Sequence, residues 1–274
     1  MNRIRRLSVA LTIASALGVA APVAASAIPT ISISGATASY PLVSLLAQKY
    51  VKLKPHKVKF KIAQGGAQIG INDVASSRVS IGDSSRGPLE PPAPPAGLLF
   101  TPIAKYAICV VTNKSNPLSN LSQAELESIF TGKTRSWGQV PGATASGTVD
   151  LISRTSVAGV LTSFQTLLLG GKSVSKLASE ESSEGLLRQA VENDPNGIGF
   201  LSNYAASLGT VHSVGYNGVA CNKATATSEQ YTGVARFYEV TLHQPKGFVA
   251  SFINWITKSA AARKIIASQW IPLS

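Results

Sequence analysis

The sequence predicts an α/β fold, and three stretches carry that prediction. Each reads as a short apolar strand, a loop of small residues and an amphipathic helix. In the first, Thr30 to Ser34 leads through Gly35-Ala36-Thr37-Ala38-Ser39-Tyr40-Pro41 into a helix with Leu42, Leu45, Leu46, Tyr50 and Leu53 on one face. In the second, Val58, Phe60 and Ile62 alternate with Lys57, Lys59 and Lys61, as in a half-buried strand. Gln64-Gly65-Gly66 then turns into a helical piece bearing Ile69, Ile71 and Val74. In the third, Val149 to Ile152 runs up to Arg154, and Thr155, Ser156, Ala158 and Gly159 precede a helix striped by Val160, Leu161, Phe164, Leu167 and Leu168. A helix that starts in such a loop points free N–H groups, and the positive end of its dipole, at whatever lies in front of it. That favours an anion. Arg154 adds a full charge and a fork of donors suited to an oxyanion. The third stretch is therefore read as half of an anion site; the alternative is an ordinary strand–loop–helix unit with a solvated arginine.

The start of the chain is a targeting segment rather than part of the fold. Arg3, Arg5 and Arg6 form a basic region, Leu7 to Val23 is apolar, and Ala25-Ser26-Ala27 is a small-residue cleavage site. Residues 1–27 thus read as a secretory signal peptide, and the product as secreted, periplasmic or held at the extracellular face of a bacterial envelope. Loss of the three arginines lowers the formal charge from +12 to +9. Such a charge favours small oxyanions, cell-wall polymers or lipid headgroups. Nucleic acid is not expected, because the lysines do not cluster with aromatics and the chain is exported. In an oxidising compartment Cys109 and Cys221 form a disulfide by default, with two buried free thiols as the alternative. His56, His212 and His243 show no ligand spacing, so no metal or other cofactor is expected.

The remaining elements follow in order. Val79 and Ile81 make a short strand ending in Gly82-Asp83-Ser84-Ser85-Arg86. Ligands of α/β folds sit at the carboxyl ends of strands, where Thr37, Gln64 and Ser84/Ser85 fall. Pro88 to Pro95 is a stiff connector, and Leu98 to Thr112 a strongly apolar strand. In Leu121 to Gly142, Ser122 and Glu125 make a capping box, Leu126, Ile129 and Phe130 a short helix, Gly132 its end and Trp137 a packing anchor. Glu180, Glu181 and Glu184 read as a solvated cluster at a helix start. No G-x-S-x-G is present and no histidine lies near a candidate serine, so the chain is not expected to be an enzyme.

The stretch from Leu121, with Ile-Phe-Thr-Gly-Lys at 129–133, then Trp137 and a Gly-containing turn, resembles the phosphate-binding proteins of ABC phosphate importers, in the type II periplasmic-binding-protein superfamily. Gly35-Ala36-Thr37, Gln64-Gly65-Gly66, Ile81 to Arg86, Arg154 with Gly159, and Asn196 to Phe200 are similar to that family's loops and strands, so the likeness covers nearly the whole exported chain. It implies two lobes, each a mixed sheet flanked by helices, joined by two crossing strands. Lobe 1 would hold 28–107 and 215–274, and lobe 2 would hold 108–214. The last helix, with Phe248, Val249, Phe252, Ile253 and Ile256, would return to lobe 1. Cys109 and Cys221 would both lie just past a crossover, which suits their pairing. The implied ligand set is Thr37, Gln64, Ser84, Ser85, Arg154, Ser156 and Gly159. Several donors of the family are replaced: Ala158 and Val160 stand where it has Ser and Thr, Val157 where it has Gly, and Gln64 where it has Ser. Ser85 stands where some members carry an acidic acceptor, with Asp83 two residues earlier. The implied function is capture of a small anion, phosphate first or another oxyanion, by a monomer peripheral to the membrane that serves an ABC importer permease. The alternative is a binding-fold protein that has lost transport and acts as a sensor or cell-surface protein for another anion.

Overall fold

The structure is a computed structural model in which residues 28–55 and 57–273 are described. The signal-peptide reading of residues 1–27 lies outside them. The chain begins β1 (Thr30–Gly35), α1 (Tyr40–Leu53), β2 (Lys59–Gln64), α2 (Ala67–Ala75), β3 (Ile81–Ser84) and β4 (Leu98–Thr112). It continues β5 (Asn120–Leu121), α3 (Gln123–Phe130), β6 (Asp150–Arg154), α4 (Gly159–Leu167), β7 (Ser179–Glu181), α5 (Glu184–Asn193), β8 (Gly197–Ser202), α6 (Asn203–Ala206) and β9 (His212–Tyr216). It closes with α7 (Lys223–Thr227), β10 (Val234–Leu242), α8 (Gly247–Lys258) and α9 (Ala260–Gln269). The alternation of strands and helices read from the sequence is what the chain forms.

Two sheets share one strand. β1 pairs in parallel with β2 on one side and β3 on the other, and β10 inserts antiparallel between β3 and β4. Leu98 to Ala107 of β4 pair with β10, whereas Ile108 to Thr112 pair with β8. β8 leads on to β6 and β7, and β9 joins the far end of β4 together with β5. The continuous apolar run from Tyr106 to Val111 is fully buried and fits a strand covered on both faces. Cys109, in the second half of β4, is disulfide-bonded to Cys221, 112 residues later.

Each sheet has its own aromatic core. Tyr50, Phe60 and Phe252 bring α1, β2 and α8 together, with Phe60 and Phe252 ring centroids 4.7 Å apart. Phe130, Phe164 and Phe200 join α3, α4 and β8, and the last two stack at 4.1 Å. The capping box at α3 is complete: Ser122 N donates to Glu125 Oε2 at 2.8 Å and Glu125 N to Ser122 Oγ at 3.3 Å. Gly132 ends this helix at φ +80°. Trp137 is buried, and its Nε1 donates to Asn196 O at 2.9 Å.

Two expectations need correction. On α1, Leu42, Leu46 and Tyr50 face the sheet, but Leu45 and Leu53 are 43% and 47% exposed. The buried face of α1 also takes in Val43 and Ala47, and these two leucines lie beyond it; Ile69 of α2, Leu167 of α4 and Phe248 of α8, expected on buried stripes, are exposed as well. Glu184 is not solvated: it is buried, with its carboxylate held by Ser202 N and, at 3.0 Å, by Ser202 Oγ.

Candidate functional site

Most helices of this chain begin with a side-chain cap: Ser122 for α3, Ser183 for α5, Ser202 for α6, Asn222 for α7 and Ser259 for α9. Besides α8, three helices begin with none: α1, α2 and α4. These three bare starts meet. Gln68 N, in the first turn of α2, donates to Val157 O at 3.0 Å in the loop before α4. Gly159 at the start of α4 lies so close to its neighbours that a Cβ there would stand 2.8 Å from Ser85 Oγ and 2.9 Å from Ala67 Cβ. Gly35 draws in the first loop: its carbonyl accepts from Gly65 N at 2.9 Å and Gly66 N at 2.8 Å. Its φ of +146° brings it so near β3 that a Cβ would sit 2.0 Å from Asp83 O, so only glycine fits.

Arg154 lies at the end of β6, fully buried. Its Nε donates to Glu181 O at 3.0 Å, and its Nη2 to Ser182 O at 3.0 Å and Thr37 Oγ1 at 3.1 Å. Nη1 has no hydrogen-bond partner among the described residues. Thr37 Oγ1 also accepts from Glu184 N at 3.2 Å. Both acceptor positions of this hydroxyl are thereby filled by N–H groups, so its one proton is left to donate. Burial lowers the pKa of the guanidinium, while the carboxylates of Glu184 and Glu181 oppose the shift. Burial raises that of Glu184, which hydrogen bonds from Ser202 and the charge of Arg154 offset in part.

The other expected residues divide into two groups. Ser85 and Gly159 are in the cluster. Ser85 is fixed through its carbonyl, which accepts from Tyr106 OH at 2.8 Å and Ser163 Oγ at 3.3 Å, so its hydroxyl remains uncommitted. Ser84 turns back on its own loop, donating to Arg86 O at 2.8 Å and accepting from Arg86 N at 3.2 Å. Gln64 ends the edge strand β2 and is exposed, and so is Ser156; neither side chain has a hydrogen-bond partner among the described residues. The buried unpartnered hydroxyl near Arg154 is instead Thr155 Oγ1, which the reading of Ser156 missed. Arg86 is a second buried cation, but Gln68 Oε1 at 2.7 Å and Glu90 O occupy its terminal nitrogens. Glu90 in turn accepts from Ser163 Oγ on α4 at 2.7 Å, tying the β3–β4 loop to that helix.

Beneath the start of α1 lies a pair of carboxyl groups that no sequence motif announced. Asp83 and Glu239 face each other across the β3–β10 ladder, both buried. Asp83 accepts from Ser39 Oγ at 2.7 Å, and both oxygens of Glu239 lack partners. Burial pushes Asp83 up to about 7, and burial together with the charge of Asp83 raises Glu239 well above the carboxylate range. With both groups raised, the pair carries less negative charge under the helix starts than two ordinary carboxylates would.

A family model described as a PBP superfamily domain matches residues 20–260. The phosphate-binding protein PstS of Bacillus subtilis (strain 168) is 24% identical over 247 residues, which cover 89% of this chain and 81% of that one. A Clostridium perfringens crystal structure, assigned as a phosphate ABC transporter substrate-binding protein with bound phosphate, superposes with a TM-score of 0.82 at 26% identity. It covers 89% of this chain and 100% of that one. An ABC-type phosphate transport receptor from Vibrio cholerae, 21% identical, shares the fold with a TM-score of 0.71 over 89% of this chain and 100% of its own. The fold is that of the type II periplasmic binding proteins.

Proposed function

This chain belongs to the PBP superfamily, and from that membership we propose that it is an exported solute-binding protein that grips one phosphate ion for an ABC importer. The observation that carries this reading is the meeting of three uncapped helix starts at Arg154 and at the free proton of Thr37. Amide donors and a guanidinium are what a desolvated oxyanion needs, since every oxygen removed from water must find a partner. Thr37, Ser85, Arg154 and Gly159 are the proposed ligand residues, with Thr155 in the place first given to Ser156. Relatives named for phosphate binding support the choice of anion.

In this reading the lobes are 28–107 with 215–274, and 108–214, and β4 is one of the two crossings. The protein acts outside the cytoplasm as a monomer, hands its ligand to a permease and turns over no substrate. A second reading, a different oxyanion, is favoured by Ala158 and Val160, which are both buried at the start of α4 and offer no hydroxyl.

Calorimetric titration of the exported protein tests the proposal, after bound ligand is removed by partial unfolding and dialysis. One-to-one binding of phosphate at micromolar or lower concentration, with sulfate weaker, is the expected result. Absence of heat at millimolar phosphate would sink the choice of anion. Robust hydrolysis of a phosphate ester, lost with a single serine or glutamate substitution, would sink the non-enzymatic reading.

A further inference from the structure

The positive charge of this chain is not spread evenly. Residues 28–107 and 215–274 carry 15 Lys and Arg against 5 Asp and Glu, a net +10, whereas residues 108–214 carry 7 against 8. No acidic residue precedes Asp73 and none follows Glu239. The first sheet and its helices therefore hold all of the excess, and two of their five acids, Asp83 and Glu239, are buried.

Part of this charge gathers on one face. A groove between α1 and α9 is lined by Leu45, Lys49, Lys52, Lys264 and Ile265. In the chain, Leu53 closes α1 directly after Lys52, Lys54 and Lys57 follow it, and Arg263 precedes Lys264 on α9; all four are exposed. Among the described residues no carboxylate forms an ion pair with any of these cations. Leu45 and Leu53, the two leucines of α1 that the sheet does not cover, lie among the lysines. α1 begins at the anion site and runs 14 residues, so its basic end stands roughly 20 Å from the cleft. Occupation of this face leaves the cleft free.

We propose that this face is a docking surface for an anionic lipid bilayer, which holds the exported protein by its first lobe and leaves the cleft uncovered. Clustered lysines on a helix are drawn to anionic headgroups over about a Debye length. Exposed leucines between them add adhesion that only a bilayer can use, because a soluble polyanion offers no apolar layer to enter. The two leucines therefore favour a membrane over a charged polymer.

The test is co-sedimentation of the exported protein with vesicles of phosphatidylglycerol mixed with phosphatidylcholine, against phosphatidylcholine alone. Binding is expected only to the anionic vesicles, falling as salt is raised. Joint reversal by Lys49→Glu, Lys52→Glu and Lys264→Glu is expected to weaken it by about tenfold or more. Leu45→Ser with Leu53→Ser is expected to weaken it at unchanged charge. All five side chains are at the surface, so melting temperature and phosphate affinity are expected to stay as in the parent. If a variant fails to fold, the lipid and salt dependence of the parent protein decides alone. Equal sedimentation with both vesicle types, or with neither, overturns the proposal. So does equally tight binding to soluble polyphosphate with no effect of the two leucine substitutions, which would mark the face as a polymer site.

Discussion

Arg154 Nη2 stands 3.1 Å from Thr37 Oγ1, across 117 residues of sequence. The bond joins the end of β6 to the loop after β1, and Glu184 N closes the same hydroxyl from a third element. The hydroxyl proton and the free Nη1 are the donors this arrangement leaves for an anion. Arg154→Ala removes a charge-assisted bond worth about 1.5–3 kcal/mol, so phosphate affinity should fall roughly ten- to a hundredfold. Thr37→Val keeps the shape and loses one neutral donor to the anion, at a cost of about tenfold or less, and by leaving Arg154 Nη2 and Glu184 N without this acceptor it should also lower the melting temperature. Titration calorimetry of both variants checks the order; equal affinity in all three proteins would remove these residues from the site.

Gly159 offers a separate test, of closure rather than of contact. An added methyl would stand 2.8 Å from Ser85 Oγ and from Arg86 N, and 2.9 Å from Ala67 Cβ. In the proposed division into lobes these atoms belong to the other lobe, so they can yield by opening of the cleft. Gly159→Ala should leave the melting temperature of the ligand-free protein almost unchanged and weaken phosphate binding. Small-angle scattering with phosphate present should show a more open particle than the parent.

Ala158 and Val160 can be given back hydroxyls. Ala158 is the uncapped residue before α4 and Val160 lies in its first turn, both buried. Val160→Thr replaces a methyl by a hydroxyl in the same volume. Ala158→Ser adds either a ligand donor or a helix cap, and a cap contributes about 1 kcal/mol of stability. If the ligand is phosphate, the double variant should bind it roughly tenfold more tightly. A higher melting temperature without tighter binding would mean that the serine caps the helix and the anion lies elsewhere.

The Asp83–Glu239 pair makes stability depend on pH. Burial raises Asp83 from its ordinary 3.8 to about 7 and holds Glu239 high as well. The native state keeps protons that the unfolded chain gives up, so stability is full below the unfolded values and falls as pH climbs towards about 7. The loss across this window is on the order of a few kcal/mol. Glu239→Gln removes one ionisation and can donate an amide N–H to Asp83. It should raise the melting temperature near pH 8 by roughly 2–4 °C per kcal/mol recovered, and by much less near pH 5. Parallel pH profiles of the parent and the variant would overturn the assignment.

The sequence by itself determined the local units. Ser122 and Glu125 cap α3, Gly132 stops it, and the strand–loop–helix stretches at 30–53 and 150–167 form where the order of residues places them. These depend on neighbours a few residues apart, which the order of residues states directly. The resemblance to a binding family also pointed to Arg154, Thr37, Ser85 and Gly159, which the structure brings together. The tertiary structure alone decided the rest. Ser84 and Ser85 are adjacent and chemically equal, yet Ser84 turns into its own loop and Ser85 keeps its hydroxyl free, because Tyr106 and Ser163 hold its carbonyl. Glu184 reads as a solvated helix-start acid until β8 brings Ser202 against it. Asp83 meets Glu239 only because β10, 156 positions further on, pairs with β3. Leu45 and Leu46 are neighbours in one apolar run, and only the sheet beneath α1 decides that Leu46 is buried and Leu45 is not. Burial and hydrogen bonding at these positions come from partners distant in the chain, and chain distance carries no record of them until the strands have paired.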